Sequence, residues 1–180
     1  MRNLTSAGDH RLLLRRIVIY GAAIFFIGII QCAFFSRLKL FGVTPDLILG
    51  TLIAILLLDN KYAAAVAAVG AGYFIDALGS SIPSFSALFY LFVVAVLFVM
   101  AQKLLSKLPS FILLLLAALP IRAVFTYFNL CLTFGKAAPI SCIWTVILPE
   151  ALCTVLFCIP VYFLIKLCTV PISSRSKFTF

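Results

Sequence analysis

Six apolar stretches fill this chain almost from end to end, and the hinges between them are too short to hold a soluble domain. That one feature decides the solvent. Hydrophobic residues make up 65% of the sequence and charged residues 11%, against roughly 25% charged in an ordinary soluble domain. A water-soluble fold has no means of covering so much apolar surface.

A helix needs about 20 apolar residues to cross a hydrocarbon core of about 30 Å. Bracketed by their charges, the spans fall at 17–35, 45–58, 62–78, 85–101, 108–132 and 140–165. The expected fold class is therefore an all-α integral membrane protein with six transmembrane helices. Residues 1–16 form an N-terminal tail, 17–165 the transmembrane domain and 166–180 a C-terminal tail. The second span is short, so it either begins earlier, within 40–44, or thins the bilayer around it.

Lys and Arg near span ends are retained on the cytoplasmic side. With the N-terminus inside, the inner segments hold ten of them: Arg2, Arg11, Arg15, Arg16, Lys61, Lys103, Lys107, Lys166, Arg175 and Lys177. The outer segments hold three, Arg37, Lys39 and Lys136. Both termini are accordingly expected in the cytoplasm. The net charge of +9 reads as topology and attraction to anionic membrane lipids, not as nucleic-acid binding, because no basic folded domain is left for that role.

The first span is long for a secretion signal, and no small-x-small cleavage site follows it. Gln31, just before Cys32, occupies a position where lipoprotein processing wants a small residue. The six cysteines, Cys32, Cys131, Cys142, Cys153, Cys158 and Cys168, form no CxxC pair, and His10 is the lone histidine. No metal site and no cofactor site are expected. Cys131 and Cys142 flank the turn between the last two spans, where a disulfide is geometrically allowed in an oxidising compartment.

Three ionisable residues fall inside spans: Asp76, Arg122 and Glu150. A charge at mid-bilayer costs about 2.5–3.5 kcal/mol on insertion scales, so such residues face the bundle interior and find partners. Arg122 lies fourteen residues before Lys136 and Glu150 fourteen after it, so an antiparallel hairpin brings them to one depth. Either acid could neutralise Arg122. The expected arrangement is an Arg122–Glu150 pair, with Asp76 close by or at the mouth of the same cavity. Such a pair is equally suited to locking the fold or to lining a pocket. Pro120 and Pro149 precede these charges and are expected to kink the helices and expose backbone carbonyls.

In the third span Ala64, Ala68 and Gly72 recur every fourth residue and continue in phase to Asp76. Small residues let backbones approach closely in lipid, so the stripe marks a helix-packing face. Thr44, Pro45 and Asp46 form a helix start in which Thr44 caps, Pro45 suits the first turn and Asp46 meets the positive end of the dipole. After Asp76, Ser80 and Ser81 sit in a turn through Pro83 and Ser84 that offers hydroxyls and free amides to a pocket or a partner.

This layout resembles the rod shape-determining protein MreD family of the bacterial cell-elongation machinery. The residues that carry the resemblance are the Pro45-Asp46-Leu47 start of the second span and Asp76 near the end of the third. A Ser/Gly/Pro turn then leads into Ser86, Ala87 and Leu88. The resemblance spans residues 15–165, with its specific part in 40–90. The chain departs from the family pattern at Ser84, where a glycine is expected, and at Pro83, displaced by one position. Arg122 and Glu150 inherit no role from it.

The resemblance implies a non-enzymatic partner of MreC in the bacterial inner membrane. That partner works with MreB, RodA and a class B penicillin-binding protein in peptidoglycan synthesis and the upkeep of rod shape. It also implies a fold like the S components of energy-coupling-factor vitamin transporters. A substrate-binding S component is thus the alternative function, and a small-molecule or lipid ligand stays open. Asp46 and Asp76 invite comparison with membrane aspartyl proteases, whose two carboxylates share a proton. The Gly-x-Gly-Asp motif of those enzymes is missing, and no serine has a histidine partner within the spans.

Overall fold

A computed structural model describes residues 6–35, 43–59, 61–79, 85–102, 104, 107–134 and 143–176. Six α-helices follow one another: α1 (Ser6–Ile29), α2 (Leu47–Leu58), α3 (Lys61–Gly79), α4 (Phe85–Ala101), α5 (Leu108–Phe134) and α6 (Leu148–Ser176). Two π-wound segments extend this series, Ile30–Phe35 continuing α1 and Ile143–Ile147 leading into α6. No strand occurs among the described residues. The fold is all-α, as expected.

Three of the helices are long and apolar enough to cross a membrane, at Arg15–Phe34, Leu108–Asn129 and Trp144–Cys168. Shorter apolar helices occupy Leu47–Leu58, Tyr62–Leu78 and Ser86–Ala101. α1 begins at Ser6 and α6 ends at Ser176, so both helices run without a break through the boundaries drawn for the tails.

The arrangement is a ring around an axle. α1, α3, α4, α5 and α6 touch in that order, α6 returns to α1, and α2 touches all five. The reason is visible in the sequence of α2, LILGTLIAILLL, which has no polar face. A helix that is apolar all round is stable only when enclosed. Eleven of its twelve residues are buried. The ring helices instead turn large apolar side chains outward, among them Val18, Val66, Leu88, Val124 and Leu156. That surface matches hydrocarbon and not water.

Enclosure also explains how α2 can be so short. Twelve residues rise about 18 Å, well under the roughly 30 Å of a hydrocarbon core. A helix surrounded by protein need not match the bilayer. Residues 43–46 are not helical, so within the described residues the second span does not begin before Leu47.

Close approach is bought with glycine at two points. A Cβ on Gly50 would strike the Cβ and Sγ of Cys158 in α6. One on Gly72 would strike the backbone of Ala87 in α4. The Ala64, Ala68 and Gly72 stripe is buried, and its Gly72 end is seated on Ala87 of this same chain.

Candidate functional site

The four N–H groups at the start of a helix have no intrahelical acceptor, and at α2 all four are met by side chains. Asp46 is the N-cap and accepts from Leu49 N through Oδ1 at 3.1 Å. Gln31, in the π-wound end of α1, accepts through Oε1 from Leu47 N at 2.9 Å and Ile48 N at 3.1 Å. The Asp46 N–H itself donates to Thr154 Oγ1 of α6 at 3.1 Å. Thr44, expected to cap, is exposed and two residues too early. The helix begins after Asp46, because the Asp46 carboxylate reaches Leu49 N while Pro45 lies buried ahead of it.

Asp46 is fully buried and gathers three ring helices. Tyr90 of α4 sets its hydroxyl 3.1 Å from both carboxylate oxygens. Arg122 of α5 meets Asp46 Oδ2 through Nη1 at 3.1 Å and donates from Nε to Glu150 Oε1 of α6, also at 3.1 Å. Thr126 donates to the other Glu150 oxygen at 3.3 Å, and Thr154 donates to the Glu150 carbonyl at 2.7 Å. The guanidinium carbon lies 5.4 Å from the centre of the Phe89 ring and 5.9 Å from that of Phe125. Those rings stack on each other at 4.0 Å. One arginine is thus held between two carboxylates and beside two aromatic faces, which favour a cation.

The expected Arg122–Glu150 pair is present. The second acid on Arg122 is Asp46 and not Asp76, which is a correction. Depth counted along continuous spans puts Asp46 at a membrane surface, whereas the shortness of α2 draws its N-terminus into the bundle. Asp76 takes no part in the cluster. Both of its oxygens are buried without a hydrogen-bond partner among the described residues, so Asp46 and Asp76 do not share a proton as a protease dyad would. Ser80 and Ser81 lie outside the described residues, as do Lys136 and Cys142, and with Cys142 the Cys131–Cys142 pairing. Pro120 is inside α5 as expected. Pro149 is the second residue of α6, directly after the π-wound segment Ile143–Ile147, so its missing N–H falls where the winding changes.

A second cluster, missed in the sequence, closes the other end of α2. Asp59 ends that helix, donating its N–H to Ile55 O at 3.0 Å. Its carboxylate accepts from the Tyr20 hydroxyl at 2.7 Å and pairs with Arg16 Nη1 at 2.9 Å. Each end of the axle therefore carries the same triad of types: aspartate, arginine, tyrosine. Asp59 reads as an ordinary hydrophilic break between spans, and nothing in its local sequence names Tyr20.

No group of three or more metal-ligating side chains occurs among the described residues. A groove of about 500 Å³ opens instead on the outer surface, between α1 and α3. Comparison with known proteins adds no identification: no family model, no curated protein and no solved structure matches the chain.

Proposed function

We propose that the chain is a non-enzymatic membrane scaffold of the bacterial cell-elongation complex, binding MreC alongside MreB, RodA and a class B penicillin-binding protein. One observation carries this reading. The Pro45-Asp46-Leu47 motif, on which the resemblance rests, supplies the residue that joins α2 to α4, α5 and α6 through Tyr90, Arg122 and Thr154, and Glu150 in turn holds Arg122 and Thr154. A polar interior so engaged is suited to holding a shape. The apolar faces of the ring are then free to take the transmembrane helix of a bitopic partner by close packing.

In this reading all six helices sit in the inner membrane, with both termini in the cytoplasm as the ten-to-three distribution of Lys and Arg favours. The fold is then of the S-component kind. Depletion followed by microscopy tests the function, the expected result being loss of rod shape together with copurification of a bitopic partner. Normal shape with loss of a vitamin's uptake would instead identify a transporter component.

A further inference from the structure

α1 and α3 run parallel, with Gly28 against Phe74 toward one end and Arg16 and Tyr62 sharing the other. The groove of about 500 Å³ lies between them. Its walls are apolar, and its floor is thinned by Gly21 and Gly70. A Cβ added at either glycine meets nothing within 4 Å. Glycine inside a helix costs about 0.5–1 kcal/mol relative to alanine, and no contact among the described residues returns that cost. The missing side chains serve the groove.

Only the rim is charged. Arg16 gives Nη1 to Asp59, yet its side chain remains 30% exposed; its Nε is buried and finds no acceptor among the described residues. Arg15, the next residue back, is exposed as well. From Arg16 to Phe25 the groove follows nine residues of α1, a rise of about 14 Å. That is close to half of a hydrocarbon core of about 30 Å. A transmembrane helix would run the full thickness, and a single helical turn about 10 Å across and 5.4 Å high already fills roughly 400 Å³. The depth of one leaflet, an apolar slot and a cationic rim together describe a lipid.

We infer that this groove seats one acyl chain of an anionic glycerophospholipid from the surrounding bilayer, with its phosphate on the Arg16 guanidinium. The inference needs only a membrane location and is independent of the partner proposed above. Native mass spectrometry tests it on the full chain released from nanodiscs of equal parts phosphatidylglycerol and phosphatidylcholine. The expected result is one retained lipid per protomer, with phosphatidylglycerol favoured at least tenfold. The Gly21→Leu/Gly70→Leu double variant fills open space, so it should elute like the parent and melt no lower, while retention falls at least tenfold.

Equal retention of the two lipids by the unmodified chain would overturn the inference without recourse to any variant. Undiminished retention in a folded double variant would also overturn it. So would a lipid-free dimer that the double variant abolishes, since the groove would then belong to a second copy.

Discussion

Asp46 and Asp59 bracket one helix, and each meets an arginine and a tyrosine from the ring around it. The two ends are not equal. Asp46 is fully buried and its arginine, 22% exposed, serves a second acid, whereas Asp59 is 11% exposed and Arg16 30%. Coulomb attraction is strong where water is excluded and weak where it is not.

Removing Arg122 leaves Asp46 and Glu150 facing each other without a cation. Arg122→Met is expected to destabilise the fold by about 3–5 kcal/mol, the range for breaking a buried pair. Asp59→Asn, at the slightly more open end, also weakens the Tyr20 hydrogen bond and is expected to cost less, about 1–3 kcal/mol. Thermal unfolding in detergent should order the two variants; equal losses would mean that the ends are equivalent.

Exchanging the charges of Arg122 and Glu150 puts a carboxylate at position 122 beside Asp46. The exchange alone is therefore expected not to restore stability, while adding Asp46→Asn recovers a substantial part. Full recovery by the exchange alone would show that Asp46 does not contact residue 122.

Gln31 holds two backbone donors at the start of α2, so Gln31→Leu strands both in an apolar interior. A buried unsatisfied donor costs about 1–3 kcal/mol, and the variant should melt lower by a corresponding margin. Gln31→Glu keeps the acceptors and should melt closer to the parent. The reverse order would remove Gln31 from the cap.

Glycine substitutions separate packing inside the bundle from space outside it. Gly50→Ala and Gly72→Ala collide with Cys158 and Ala87 and should each cost about 1–3 kcal/mol. Gly21→Ala and Gly70→Ala touch nothing and should each raise stability by about 0.5–1 kcal/mol. Melting temperatures of the four variants decide this directly.

Asp76 has two buried oxygens and no hydrogen-bond partner among the described residues. Asp76→Ala removes an uncompensated polar group and should leave stability unchanged or raise it by about 1 kcal/mol. If the carboxylate serves a partner protein, copurification of that partner falls while the melt does not. A destabilised Asp76→Ala variant would place the residue among the fold's own contacts.

The sequence by itself determined the solvent and the element type, because hydropathy and segment length are sums over neighbours in the chain. It also supplied the Arg122–Glu150 pair, since two residues equidistant from one turn meet across a hairpin whatever else surrounds them. Only the tertiary structure decided that α2 is the axle, that Asp46 rather than Asp76 completes the cluster, and that Asp59, Tyr20 and Arg16 close the opposite end. Those facts depend on which helix stands in the middle, and local spacing cannot report that. Enclosure by five neighbours turns a short apolar segment from a poor span into the core, and it carries the aspartate at its head in from the surface.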